Sequence, residues 1–176
     1  MYSNYLLPSK RFILTVHNLT TTSLEKLDRL TDKFVKSWAG LPPSATNALI
    51  HMPVGMGIKS ISETYMESHV VSHTRTRLKG DKVVNSVINA TLERESDYTR
   101  KKSTTTEAEA TFTTAVNLVS PEGTVPTFTG ENAHTLQHQY DEKVRKEVKK
   151  LLCLENNEKW CEHVKSLAVQ GKFLAL

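Results

Sequence analysis

Lysine and arginine side chains recur along one stretch of the chain at a spacing that suits contact with a polyanion. Four cations follow one another at a 3-4-3 spacing: Lys26, Arg29, Lys33 and Lys36. On a helix of about 3.6 residues per turn, this basic row occupies one face and can lie along a phosphate backbone. The alternative is an ordinary solvated helix face, because acidic residues are interleaved with the row: Glu25, Asp28 and Asp32.

Other basic clusters have simpler explanations than a ligand. Arg75, Arg77 and Lys79 end one predicted helix and residues 100–102 end another, where a cation gains about 0.3–1 kcal/mol from the helix dipole. For these helix ends, the dipole and ligand explanations both stay open. The densest basic run, at 143–150, has acidic partners at i,i+4 spacing, which favours a salt-bridged, solvated face.

Histidine and cysteine residues form no convincing catalytic or metal-binding set. His69 and His73 stand four residues apart, as two ligands of one metal ion can, yet no third ligand accompanies them. Cys153 and Cys161 match no zinc spacing and are expected to be buried thiols. The sequence also lacks a G-x-S-x-G elbow, a P-loop and a Rossmann glycine motif. We therefore expect no catalytic residues, metal or cofactor. An enzyme that uses His51, His69 or His73 is the least favoured alternative.

A helix over residues 22–38 must position the basic row. Its apolar residues fall on one stripe at helical spacing: Leu24, Leu27, Leu30, Phe34, Val35 and Trp38. Thr22 and Glu25 form a capping box at its start, while Gly40 and the prolines after it end the helix. The pattern predicts that this stripe packs inward and that the basic row faces outward.

Capping and stop signals place the other helices. Ser60 and Glu63 form a second capping box, Gly80 ends the helix that follows, and Asp81 is expected to cap the next one. The predicted helices are 5–16, 22–38, 44–52, 60–78, 82–97, 104–118, 131–152 and 155–168, with a loop at 53–57 and a linker at 120–130. The helix at 60–78 is predicted to turn Ile61, Tyr65, His69 and Ser72 inward. The helix at 82–97 is predicted to bury Val83 or Val84, Val87, Ile88 and Leu92. No segment alternates as a strand does, so the sequence predicts an all-α fold without a substantial sheet.

Composition restricts the class of protein. The 176 residues carry 23 Lys+Arg against 19 Asp+Glu, a net charge of +4, which supports a polyanion partner only where the cations cluster. No apolar run approaches the roughly 20 residues of a membrane span, and the N-terminal stretch is not a secretory signal. With only two cysteines, a disulfide framework is not expected. These features predict an intracellular protein without a membrane partner.

Three segments carry a resemblance to a known family. They are LLPSKRFILTVHNLT at 6–20, the stretch at 24–81 with the pattern K-x-W-x-G-L-P at 36–42 and S-I-S at 60–62, and LERESDYTRKKST at 92–104. Together they resemble the reverse transcriptases of non-LTR, LINE-like retrotransposons, in the region that follows the catalytic palm. The tail VKSLAVQGKFLAL is similar to the next part of those polyproteins, although less distinctively.

The resemblance implies a thumb-like helical bundle that holds a template–primer duplex by its backbone. Under it the basic row is the first candidate for phosphate contact, and a second set follows: Lys10, Arg11, Arg75 and Arg77. Reverse transcriptases hold two Mg²⁺ ions on palm aspartates, usually adjacent, and no two aspartates are adjacent here. The resemblance therefore implies a non-catalytic fragment of an RNA-directed DNA polymerase, from a truncated reading frame that starts after the palm.

These expectations define four segments and two competing functions. The segments are a thumb-like bundle at 1–79, a helical extension at 80–119, the linker at 120–130 and a C-terminal helical pair at 131–176. The favoured function is backbone-directed binding of RNA–DNA or other duplex nucleic acid. The alternative is a helical protein-interaction module that associates with itself through exposed apolar surface and binds no nucleic acid.

Overall fold

The chain folds into α-helices joined by short connections. The computed structural model describes residues 13–14, 17, 19–98 and 104–167. Its helices are α1 (Thr21–Trp38), α2 (Ala48–His51), α3 (Ile61–Lys79), α4 (Lys82–Tyr98), α5 (Thr104–Val119) and α6 (Ala133–Ser166). No strand occurs among the described residues, so the all-α prediction is confirmed. The helix predicted at 5–16 falls almost entirely outside them.

Helix α1 begins one residue before its predicted start, but its N-cap differs from the prediction. Thr20 is the N-cap: its backbone is extended, and its Oγ1 accepts a hydrogen bond from the Ser23 amide at 3.3 Å. Thr22, the predicted cap, already lies within the first helical turn. The capping box at Thr22 is therefore wrong, because an N-cap must keep a non-helical backbone while its side chain reaches the amides that follow.

The apolar stripe of α1 is only partly buried. Leu24 and Val35 are buried, and so is Asp32, which is 5% exposed. Four residues of the predicted stripe are exposed: Leu27 (38%), Leu30 (54%), Phe34 (59%) and Trp38 (66%). The prediction that the whole stripe packs inward is wrong, because hydrogen bonds of two aspartates orient a more polar side of the helix toward its neighbours.

The capping box at the start of α3 is confirmed and is reinforced from α1. Ser60 Oγ accepts from the Glu63 amide at 3.1 Å, and Glu63 Oε2 accepts from the Ser60 amide at 3.2 Å. Asp28 Oδ1 accepts from the amides of Ile61 at 2.7 Å and Ser62 at 3.2 Å. Asp28 Oδ2 also accepts from the Ser62 hydroxyl. The first amides of a helix have no partner within it, so Asp28 both completes α3 and joins it to α1.

The loop predicted at 53–57 is present, and it turns back onto α2. The amides of Met56 and Ile58 donate to the carbonyls of Leu49 and Ile50, each at 2.9 Å. A Cβ on Gly55 would lie 2.2 Å from the Leu49 carbonyl oxygen, so only glycine fits this close approach. The loop thereby holds the backbone of Ile58 against α2.

The side chains that α3 buries differ in part from those predicted. Tyr65 is buried, as expected, but Ser72 is exposed, and the residues buried farther along α3 are Ser68, Val70, Val71, Thr74 and Leu78. Thr74 Oγ1 donates to the Val70 carbonyl at 2.8 Å, so this small polar side chain is satisfied within its own helix. The helix ends at Lys79, and Gly80 directly after it has a φ of 67°, as the predicted C-terminal stop requires.

Helix α4 has the predicted cap but not the predicted packing. Asp81 Oδ1 accepts from the amides of Val83 at 2.9 Å and Val84 at 3.3 Å. Those two valines and Val87 are exposed, and Ile88 is only half-buried, like Leu92. The prediction that α4 buries this face is wrong, because residues of three other helices fill the core described next.

The core around α5 joins three helices. Its buried residues are Val70 and Leu78 of α3, Ala108, Phe112, Ala115 and Val116 of α5, and Tyr140, Val144, Val148 and Leu152 of α6. The α6 residues recur every four positions, so they form one apolar stripe, whereas Leu136, four residues before Tyr140, is exposed. Phe128, from the connection before α6, packs against this core.

The C-terminal helical pair predicted from the sequence is a single helix. Helix α6 runs without interruption through residues 153 and 154, where a break was expected between the two. No proline or glycine occurs between Ala133 and Ser166, so nothing in this stretch forces the helix to end. The prediction of two helices at 131–152 and 155–168 is wrong.

The chain divides into two compact units. Unit 1 comprises Met1–Tyr65 and Cys153–Leu176, and unit 2 comprises Met66–Leu152. Unit 1 thus contains α1, α2 and the capped start of α3, and unit 2 contains the core around α5. These borders fall at other positions than the four segments drawn from the sequence, and those segments remain a prediction.

We expect Phe112→Ala to destabilise unit 2 by about 3–5 kcal/mol, because it removes a buried ring from the centre of the core. Leu118→Ala on the same helix removes an exposed side chain and is expected to change the free energy of unfolding by less than about 0.5 kcal/mol. Urea unfolding followed by circular dichroism measures both. Equal losses of stability in the two variants would contradict the core as described.

Candidate nucleic-acid interface

The basic row of α1 lies on the outer face of unit 1. Lys26, Arg29 and Lys33 are exposed, and Lys36 is half-buried. Lys36 Nζ donates to the Pro43 carbonyl at 3.3 Å, which leaves donors of this ammonium available. Within the described part of the chain, no ion pair joins the other three side chains to an acid. The outward orientation predicted for the row is therefore found for Lys26, Arg29 and Lys33, whereas Lys36 lies partly against the loop that follows α1.

The two aspartates interleaved with the row make hydrogen bonds inside unit 1. Asp28 is used at the start of α3. Asp32 Oδ2 accepts from Asn47 Nδ2 at 2.6 Å, and its Oδ1 lies 2.9 Å from His51 Nε2. The expectation of a solvated face with mixed charge fails for these two carboxylates, since both have partners inside unit 1. Among the three interleaved acids, only Glu25 is exposed.

His51 is the buried partner that fixes Asp32. Its Nδ1 lies 2.7 Å from the Ile58 carbonyl oxygen while its Nε2 faces the Asp32 carboxylate. Both neighbours are acceptors, and a neutral imidazole has only one N–H, so only the imidazolium satisfies both contacts. Burial lowers the pKa of His51, but the hydrogen bonds to Asp32 and Ile58 and the charges of Asp32 and Glu63 raise it more. The net result is a pKa above the usual 6.5.

Trp160 completes this polar cluster. Its ring stacks on His51 with centroids 4.8 Å apart and planes 26° from parallel, a geometry in which an aromatic face attracts the imidazolium. Its Nε1 donates to Glu63 Oε1 at 2.5 Å, the side chain whose other oxygen caps α3. A chain of contacts thus links α1, α2, α3 and the last part of α6 within unit 1. Spacing in the sequence gives no signal for it, because Trp160 lies 97 residues after Glu63.

The exposed part of the apolar stripe runs beside the basic row on the surface of α1. It consists of the exposed apolar residues Leu27, Leu30, Phe34 and Trp38. The rings of Phe34 and Trp38 neighbour each other, with centroids 6.2 Å apart and planes tilted by 35°. A contiguous exposed apolar strip of this kind is typical of an interaction surface.

Two of the four secondary candidates for phosphate contact are among the described residues, and both belong to unit 2. Lys10 and Arg11 lie outside the described residues. Arg75 is exposed in unit 2. Arg77, also in unit 2, donates from Nε to Glu109 at 2.9 Å and from its two terminal nitrogens to Asn85 at 3.5 Å and Asn89 at 2.8 Å. These contacts hold Arg77 within its own unit, which is a structural role the sequence did not indicate.

The histidine and cysteine candidates form no metal centre in the structure. His73 Nε2 lies 2.5 Å from Glu109 Oε2, the oxygen that also accepts from Arg77. Cys153 and Cys161 of α6 are exposed, so the prediction of buried thiols is wrong. Over the residues that the structure describes, no three His, Cys, Asp or Glu side chains are grouped so as to hold a metal ion.

Comparisons with protein-family models, curated proteins and solved structures find no match for the chain. The resemblance to reverse transcriptases thus rests on the sequence segments that carry it. No helix in the described part of the chain has the length and apolar character needed to cross a membrane. The intracellular location remains a prediction.

We expect unit 1 to become less stable as the pH rises above about 6.5. The folded chain holds the His51 proton more tightly than the unfolded chain does, because the pKa is raised on folding. The stabilisation is complete below the unfolded pKa of about 6.5 and is lost as the pH rises through the higher folded pKa. Thermal unfolding measured from about pH 5 to about pH 9 tests this dependence.

His51→Gln is expected to remove that component of the pH dependence, whereas His134→Gln, a substitution of an exposed histidine, should retain it. An NMR titration of the His51 ring in the unsubstituted protein gives its pKa directly. A pKa below the usual 6.5 would contradict the imidazolium inferred from the two acceptors.

Proposed function

We propose that the chain is a non-catalytic, thumb-like fragment of a retrotransposon reverse transcriptase that binds nucleic acid through the sugar–phosphate backbone. The observation that carries the proposal is the separation of charge on α1. Lys26, Arg29 and Lys33 lie on the outside, whereas Asp28 and Asp32 are used inside unit 1. The outer face is therefore more basic than the sequence of α1 suggests, and the segments that resemble reverse transcriptases include this helix.

The geometry of the row suits a phosphate backbone. From Lys26 to Lys36 the helix rises by about 15 Å, at about 1.5 Å per residue. A straight row of that length follows a strand, and long flexible side chains adapt to successive phosphates without reading bases. Binding of this kind depends on the shape and charge of the duplex, so an RNA–DNA hybrid is a suitable ligand.

The proposal assigns binding and not polymerisation to this chain. Phosphoryl transfer by a reverse transcriptase uses carboxylates that hold two Mg²⁺ ions. The sequence has no adjacent pair of aspartates, and Asp28 and Asp32 of α1 have protein partners. No residue of the chain is therefore assigned a catalytic role.

The exposed apolar stripe of α1 favours a second candidate function. Leu30, Phe34 and Trp38 are each more than half exposed, and a second copy of the chain could cover them. In that case the basic row would only keep the surface soluble. Analytical ultracentrifugation over a range of protein concentrations distinguishes this candidate, since it requires association that does not depend on nucleic acid.

We expect the purified chain to bind a labelled RNA–DNA duplex with an affinity that falls as salt rises, because each neutralised phosphate releases a counterion. Replacing the four cations of the row with glutamine should weaken binding roughly tenfold or more. It should also reduce the slope of log K against log salt by about 0.9 for each phosphate that the variant no longer neutralises. Fluorescence anisotropy across a salt series measures both quantities.

A matched control removes the same charge from another helix. Lys143, Lys146, Lys149 and Lys150 are exposed on α6, and their replacement with glutamine also subtracts four positive charges. If this control weakens binding as much as the α1 variant does, net charge and not the α1 surface is responsible. Absence of duplex binding at low salt would refute the proposed function.

A further inference from the structure

The two stripes of α1 differ in what they offer a nucleic acid. The basic row supplies cations for phosphates, and any strand has phosphates. The apolar stripe supplies two exposed aromatic rings, on Phe34 and Trp38, and aromatic rings stack on bases. In a duplex the base faces are covered by neighbouring base pairs, so a duplex can contact the basic row but cannot stack on the two rings.

We infer that the exposed surface of α1 is a platform for single-stranded nucleic acid, in which the basic row holds the phosphates while Phe34 and Trp38 stack on unpaired bases. This inference rests on the proposed function and specifies its ligand. It implies that a single strand, or a single-stranded overhang of a template–primer, binds more tightly than the duplex alone.

Exposure and ring geometry support the inference. Trp38 is 66% exposed and Phe34 is 59% exposed, which is unusual for large rings unless they serve an interaction. Their planes are tilted by 35° and their centroids are 6.2 Å apart, so neither ring covers the face of the other, as parallel stacking would. Each ring keeps area for a base.

Charge complementarity selects nucleic acid over another occupant of the stripe. The row lies along the same helix as the rings, and a strand that follows the row carries its bases beside its phosphates. A second copy of the chain would bring another basic row to this surface, and like charges repel. The four cations and two rings together match the combination by which proteins bind single strands without sequence preference.

The backbone turns directly after Trp38. The helix ends there, Gly40 has a φ of 66°, and a Cβ on it would meet no atom within 4 Å. The loop that follows is tied back to the row by the bond from Lys36 to the Pro43 carbonyl. The space directly beside Gly40 is therefore open.

The test compares a labelled RNA of about 12 nucleotides, within the site sizes of single-strand binders, with the same RNA paired to complementary DNA, by anisotropy at fixed salt. We expect tighter binding of the single strand. We also expect the single strand to quench tryptophan fluorescence more than the duplex does, and this difference should disappear when Trp38 is replaced. The double substitution Phe34→Leu and Trp38→Leu keeps the stripe apolar but removes the stacking faces. It should weaken single-strand binding by roughly tenfold or more and change duplex binding by less than about twofold.

A control keeps both rings and alters the rest of the stripe. Leu27→Met with Leu30→Met should leave both affinities unchanged, and circular dichroism should show equal helix content in all variants. The inference is overturned, while the proposed function stands, if the chain binds the duplex in a salt-dependent way but does not prefer the single strand. The same conclusion follows if the double substitution Phe34→Leu and Trp38→Leu leaves single-strand binding unchanged. Binding of neither ligand overturns both. Loss of self-association in the ring variant with unchanged single-strand affinity also overturns the inference and favours a second copy as the occupant.

Discussion

The buried contact between Asp32 and His51 is the constraint on which unit 1 depends. Removing two ionised groups from water costs several kcal/mol per ion, which is recovered only when every remaining donor and acceptor has a partner. Asn47, the Ile58 carbonyl and the face of Trp160 provide those partners. Because such a pair tolerates few alternative arrangements, it fixes the rotation of α1 about its axis. Everything that α1 presents to solvent follows from that rotation.

The same contact explains why α1 exposes apolar side chains. A helix oriented by apolar packing alone would have buried them. With Leu24, Asp32 and Val35 turned inward, the residues on the far side of the helix must face outward. These include both the basic row and most of the apolar stripe. Unit 1 thus forgoes the burial of Phe34 and Trp38, each of which would contribute about 1.5–3 kcal/mol or more if it were buried. Their exposure is a reason to assign this helix to an interaction.

Unit 2 shows the same use of charge for structure. Glu109 accepts from Arg77 and lies within hydrogen-bond distance of His73, beside a core of valine, alanine and aromatic side chains. Arg77 also reaches two asparagines of α4, so α4 is held to its unit by polar contacts while its valines stay exposed. A cation near a helix end, as Arg77 is in α3, can therefore belong to the interior network and not to a ligand site.

The sequence by itself determined the helical class, most helix bounds, the capping box at Ser60 and the cap at Asp81, because these depend on local spacing and on the nearest amides. It also determined the outward direction of the basic row. Tertiary structure alone decided that Asp28 and Asp32 turn inward, that Trp160 stacks on His51, that the stripe of α1 is exposed and that α6 is one helix. Periodicity identifies the apolar side of a helix, but it cannot show that distant partners will satisfy a buried carboxylate. Those partners come from other helices, and only the folded chain brings them within hydrogen-bond distance.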